Sequence, residues 1–397
     1  EGAQLAGVKL NLWTNPYLAE GCTLYRSLQG DFGSHLVWMG AVPDILLPDA
    51  AAKVQERLLS IGACEGVSGF KVDEVDGTDN WLWPDHARFP SGLSGDAMRS
   101  VYGVLWQKLI HEVYRKRNQR TFGLVRGSNG CATRFPFAIY SDSYNHEEYI
   151  AACSSAGLAG VLWCGEARDA ATAEEWVCRV QAAMLSHVAQ LNGWSEHCLP
   201  WTYPEVESYV RQAIEFRRAI VPYLYTAYAQ YCFDGFPVCR AMCLVDGGDE
   251  TDQYLLGSDL LVAPSTFGRA SRSVRLPAGE WFHYETGARA GSNGTIEIAA
   301  NPAAMPVFVR SGVLIPTVDP STPPGSSGRL IVKRYGATPA VGLLYDDDGV
   351  SFDYEKGACG WYALSWTEGA AGELNRLAGG RSFTYPEVLW QRVGPGG

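Results

Sequence analysis

Positive charge is scarce in this 397-residue chain: 32 lysines and arginines stand against 43 acids, for a net charge of −11 and a pI of about 5.2. The only basic cluster is Arg115-Lys116-Arg117 with Arg120 close behind, and it reads as the solvated end of a helix. That balance argues against nucleic acid and anionic membrane surfaces as partners. No apolar stretch approaches about eighteen residues, so no membrane span is expected. The eleven cysteines (22, 64, 131, 153, 164, 178, 198, 232, 239, 243 and 359) form no CxxC and no Cys/His pairing at zinc spacing. The seven histidines make no metal set, so no metal is inferred. Most of the thiols are expected to be small buried hydrophobes. Repeats are absent, and the one low-complexity stretch is PSTPPGSSG at 320–328. The chain opens on Glu1 without a signal peptide, which leads us to expect either processing or a longer parent protein.

What is present is a globular composition. The chain is 47% hydrophobic and 12% aromatic, with 13 Trp and 20 Tyr, enough for two or three domains with sizeable cores. Core packing accounts for most of the aromatics, and the excess also suits carbohydrate, whose C–H faces pack on indoles.

Along the chain, Gly7 to Trp13 reads as a strand broken at Asn15-Pro16. Pro48-Asp49 starts a helical pattern through Ala52, Val54, Leu58 and Leu59, and Gly66 to Val72 is again a strand. That order is a βαβ unit of a parallel sheet. Further strands are expected at 121–126, 157–163 and 236–242, with helices at 97–115, 146–156, 172–185 and 204–231, and loops at 85–95 and 127–143. With the short segment 186–194 this makes six strand–helix units, where a complete (β/α)8 barrel has eight. From 243 onward short strands alternate with Gly, Asp and Ser turns, an all-β pattern.

The stretch GVSGFKVDEVDG, 66–77, has an apolar run ending in Asp73, Glu74 and Asp76. A parallel barrel places catalytic groups at the C-terminal ends of its strands. A solvated acidic loop is the alternative. GFKVDEVDG resembles the nucleophile motif of glycoside hydrolase family 31, retaining α-glycosidases built on a barrel. RRAIVPYLYT (217–226) looks like that family's last barrel helix, and DGFPVCRAMCL (234–244) like its eighth strand. DQYLLGSDLLVAP, VRLPAGEWFHYETG and MPVFVRSGVLIP look like the adjoining β domain, and LYDDDGVSFDYEKG like the distal one.

The resemblance implies an α/β fold: a (β/α)8 TIM barrel with strands 3–8 present and the first two missing, then two C-terminal β-sandwich domains. The expected division is a partial barrel over 1–242, a proximal β domain over 243–319 and an incomplete distal one over 320–397. It implies Asp73 as nucleophile and Asp142 as acid/base, although Ser141-Asp142-Ser143 stands where the family usually has Gly-Asp-Asn. Lys71, two residues earlier on the same strand face, is a cation able to keep Asp73 ionised, or a structural partner.

Arg126 matches the family's substrate-contacting arginine, and Glu166 an acid lining the pocket, with structural pairing as the alternative for both. Ile139 and Tyr140 stand near a usual tryptophan, and Asn192 replaces a pocket histidine. Trp163 and Trp194 are possible replacement walls, and Asp79 and Trp81 weaker candidates. The implied activity is a retaining, exo-acting, glucosidase-like α-glycosidase acting on an oligosaccharide or glycoside without cofactor. The alternatives are an α-xylosidase, α-galactosidase or transglycosylase of the same family, or a silent fragment or sugar-binding homologue. The isolated chain is expected to be poorly active. Asn293-Gly294-Thr295 is a glycosylation sequon, meaningful only in a secreted protein, and LYDDDG is read as a turn.

Overall fold

The structure is a computed structural model that describes residues 7–62, 66–75, 82–142, 145–193, 199–323 and 328–394. Asp76, Asp79, Trp81 and Trp194 therefore lie outside the described residues. The chain divides into two compact units, one of residues 1–140 with 349–352, the other of 141–348 with 353–397.

In the first unit, strands β1 (Leu10–Thr14), β4 (Val67–Val72), β5 (Gly123–Val125) and β6 (Phe137–Tyr140) form a parallel sheet in that order. Val67, Phe70 and Val72 of β4 are buried, as the apolar run predicts. The helix Pro48–Gly62 connects β1 to β4 and begins on proline, which pre-sets the first helical turn. It buries Ala50, Val54 and Leu58. The helix Gly95–Arg115 connects β4 to β5 and packs Met98, Tyr102, Trp106, Leu109 and Val113 inward. Two elements depart from the sequence reading. An antiparallel hairpin, β2 (Phe32–Val37) with β3 (Gly40–Pro43), follows β1. Strand β6 lies in 127–143, expected as a loop: a four-residue apolar run is too short to show a period.

The second unit begins with the helix His146–Ala156, capped by the Asn145 side chain, then β7 (Leu162–Cys164) and the helix Ala173–Met184, capped by Thr172. The single helix expected over 204–231 is broken. A 3₁₀ turn at Pro204–Val206 leads into Glu207–Ala219, and a second helix, Val221–Asp234, starts afresh after Ile220. Pro222 has no N–H to continue the ladder, which ends the first helix.

The segment expected as the last barrel strand becomes β8 (Cys239–Ala241), paired antiparallel with β9 (Tyr254–Leu256). It forms the edge of a six-stranded sheet of order β12-β11-β13-β10-β9-β8, whose other strands are β10 (Leu260–Val262), β11 (Ser271–His283), β12 (Arg289–Ala299) and β13 (Val307–Arg310). A second six-stranded sheet contains β14 (Val313–Val318), β15 (Leu330–Tyr335), β16 (Ala340–Asp346), β17 (Gly360–Trp366), β18 (Glu373–Ala378) and β19 (Val388–Val393). Among the described residues no helix is long and apolar enough to cross a membrane.

Candidate active site

Asp73 follows the last residue of β4, and the backbone ladder carries on past it. Its N–H donates to the Thr14 carbonyl at 2.9 Å, and the Arg126 N–H to the Val72 carbonyl at 3.0 Å. Three strand ends are thereby held level. The Trp13 indole donates to one Asp73 carboxylate oxygen at 2.7 Å. The Glu74 N–H donates to the other at 2.8 Å, and the Arg126 guanidinium reaches that oxygen at 3.4 Å.

Burial of Asp73 pushes its pKa up. The neighbouring Tyr140 hydroxyl, the hydrogen bond from the Trp13 indole, the Arg126 charge and the Glu74 N–H outweigh it, so the pKa falls below the usual 3.8. The carboxylate is therefore ionised at neutral pH and fixed in direction. Immediately after it, Glu74 takes the left-handed conformation at φ 60°, and the Tyr17 hydroxyl donates to its carbonyl. A non-glycine residue held there turns the chain sharply off the strand end.

Of the residues predicted from sequence, Asp73, Arg126 and Tyr140 come together here. The Lys71 ammonium lies over the Tyr140 ring, 4.2 Å from the centroid, and Arg126 places a cation beside Asp73.

In the second unit, Asp142 is half-buried, two residues past the end of β6 and three before the capping Asn145. Ser141 beside it donates its N–H to the Cys164 carbonyl at 3.3 Å. The Glu166 carboxylate is fully buried. Gln190 donates to one oxygen at 2.9 Å, Asn192 donates to the other, and Arg168 stands 3.9 Å from it. Backbone bonds from Ala167 to Gln190 and from Asn192 to Ala167 lock the two segments side by side. Glu166 and Asn192 are thus each other's partners. Trp163 packs edge-on against Tyr149 with ring centroids 5.2 Å apart.

Sequence reasoning missed Trp13, Gln190 and Arg168. The available signals were an indole on the last residue of a predicted barrel strand, and polar residues two positions from Asn192 and Glu166. Among the described residues no group of three or more His, Cys, Asp or Glu side chains is placed to hold a metal ion.

A parallel sheet with helical crossovers, presenting an ionised carboxylate and an arginine at adjacent strand ends, is how a (β/α) barrel presents its catalytic groups. Residues 3–227 match the TIM-barrel domain of glycosyl hydrolases family 31, and residues 235–315 match that family's C-terminal domain. The chain belongs to glycoside hydrolase family 31. It is 26% identical over 287 residues to Alpha-glucosidase 2 of Bacillus thermoamyloliquefaciens, covering 66% of this chain and 36% of that one. To the Alpha-xylosidase of Saccharolobus solfataricus it is 25% identical over 220 residues, 53% of this chain and 30% of that one.

Among solved structures, the Flavobacterium johnsoniae GH31 dextranase complexed with isomaltotriose superposes with a TM-score of 0.83 at 23% identity. The match covers 95% of this chain and 53% of that one. The GH31 alpha-xylosidase from Xanthomonas citri superposes with a TM-score of 0.82 at 23% identity, covering 98% and 48%. The chain thus spans about a third of the length of these two sequence relatives.

Proposed function

We propose that this chain carries the chemistry of a retaining α-glycosidase acting on terminal α-linked sugars, with glucose as the first choice of sugar. Two carboxyl groups about 5–5.5 Å apart perform such a reaction. In the first step a carboxylate oxygen of Asp73 attacks the anomeric carbon, and the C1–O bond breaks. Its electron pair leaves on the glycosidic oxygen, which takes a proton from Asp142. In the second step Asp142 removes a proton from water, the water oxygen bonds to C1, and Asp73 departs as carboxylate. Two inversions give net retention. Arg126 keeps Asp73 anionic between turnovers, and Tyr140 and Trp13 aim it. No cofactor takes part.

The observation that carries this reading is the environment of Asp73, a carboxylate at a parallel strand end held ionised by three side chains. The relatives named as α-glucosidase and α-xylosidase support the sugar class. The test is hydrolysis of p-nitrophenyl α-glucoside, α-xyloside, α-galactoside and α-N-acetylgalactosaminide by the chain and by Asp73→Ala. We expect weak release from one sugar, lost to background in the variant. Silence across the panel in a chain shown folded by circular dichroism would overturn the proposal in favour of a silent fragment or sugar-binding homologue.

A further inference from the structure

A cleft of about 490 Å³ opens on the β12-β11-β13 face of the second unit. That volume lies within the roughly 300–1,000 Å³ of small-molecule sites. Its floor is aliphatic. Ile296 and Ile298, two apart on β12, project from the same face, and Met305 ahead of β13 continues the surface.

Four neutral polar residues, Ser265, His283, Thr286 and Asn301, stand around the floor. The His283 imidazole, at the end of β11, packs on Phe308 with ring centroids 5.0 Å apart. Burial lowers its pKa, so at neutral pH the ring offers one donor and one acceptor. Thr286, in the next turn, accepts the Ala288 N–H, and its hydroxyl proton is available to donate. Asn301 accepts the Ala303 N–H on its amide oxygen, which leaves the amide NH₂. The charged lining residue, Glu297, accepts hydrogen bonds from Ser271 and Ser273 across the strand pair.

Among the described residues this lining holds no cation to neutralise a phosphate or carboxylate, and its one carboxylate is already engaged. Neutral donors and acceptors around an aliphatic floor match a ring with C–H faces and equatorial hydroxyls. We propose that the cleft is a second carbohydrate-binding site, which takes a neutral sugar unit of an oligosaccharide on the β12-β11-β13 sheet. The choice of sugar as ligand rests on the oligosaccharide reading above, whereas the site rests on its own lining.

The test is isothermal titration of the full chain in the Asp73→Ala background with maltotriose and with isomaltotriose, repeated in Ile298→Trp and Asn301→Ala. The indole fills the floor, so Ile298→Trp is expected to bind one site fewer. Loss of a single neutral hydrogen bond in Asn301→Ala should weaken that site about fivefold. Should Ile298→Trp fail to fold, Asn301→Ala carries the test. Equal stoichiometry and affinity in all three chains, or no binding of either trisaccharide, would overturn the proposal. Nitrophenyl glycoside hydrolysis by the same substitutions in the Asp73 parent separates the two readings. Cleft-dependent binding without hydrolysis upholds this site and removes the glycosidase. Hydrolysis with binding unaffected by the cleft variants does the reverse.

Discussion

At the residue scale the proposed chemistry turns on how firmly Asp73 is kept ionised. Its folded pKa lies below the usual 3.8, so its native contacts favour the carboxylate. They stabilise the fold above that value, and the contribution is lost as pH falls through the folded pKa. Trp13→Phe keeps a ring but removes the 2.7 Å donor. The Asp73 pKa should then rise, because the indole is one of the donors that hold it down. The acid limb of the kcat/KM profile should move to higher pH with its alkaline limb in place; an unmoved acid limb would take the indole out of this role. Asp142 has a different signature. As proton donor it matters most when the leaving group is a poor one. Asp142→Ala should cost roughly 10²–10⁴-fold on an alkyl α-glycoside or disaccharide and much less on a nitrophenyl glycoside. Equal losses on both substrates would remove Asp142 as the acid.

At the scale of elements, close approach of backbone to backbone sets what each helix tolerates. Gly103 lies in the middle of the helix Gly95–Arg115, where alanine is the better helix former by about 1 kcal/mol. A Cβ there would overlap the Gly127 carbonyl oxygen, which is main chain and has little room to yield. Overpacking costs typically about 1–3 kcal/mol, so Gly103→Ala should destabilise the first unit despite its propensity, visible as a lower denaturant midpoint. An unchanged or higher midpoint would mean that this contact is looser than described. The same approach explains which elements the sequence reveals. Strand β4 and Asp73 are legible because Val67, Phe70 and Val72 lead straight into a cluster of acids. Arg126 is legible because the neighbouring run ends in a base. The β2–β3 hairpin is hidden because its turn, Trp38-Met39, carries no Asn-Gly or Asp-Gly signal, and the positive φ of 135° falls on Gly40 just after it. The Trp13–Asp73 bond is hidden for another reason. Strand period says which face a side chain takes, not which neighbour a terminal indole reaches. Glu166 meets Asn192 through a single parallel bridge, Ala167 with Leu191, a tertiary pairing that no local pattern encodes.

At the scale of the whole molecule, the cysteines report on packing. Nine lie in the described residues, and all five buried ones, Cys153, Cys164, Cys178, Cys239 and Cys359, lie in the second unit. Cys131, Cys232 and Cys243 are exposed. Burial raises Cys178 to about 12 and pushes Cys153 and Cys239 up as well, so their nucleophilic thiolates are nearly absent at neutral pH as well as shielded. Stability that comes from core packing, with these thiols acting as apolar filler, should be indifferent to reductant. We expect the melting temperature to be the same with and without dithiothreitol. Iodoacetamide on the native chain, followed by peptide mass spectrometry, should modify Cys131, Cys232 and Cys243 within minutes and leave the five buried positions intact until denaturant is added. Their protection should collapse together across one denaturant transition, because they sit in one compact unit and react only when it opens. Labelling of Cys153 or Cys239 at the rate of Cys232 in native buffer would show that the second unit is not closed as described. The same result would remove the rigid support beneath the hydrogen-bonded pair Glu166 and Asn192.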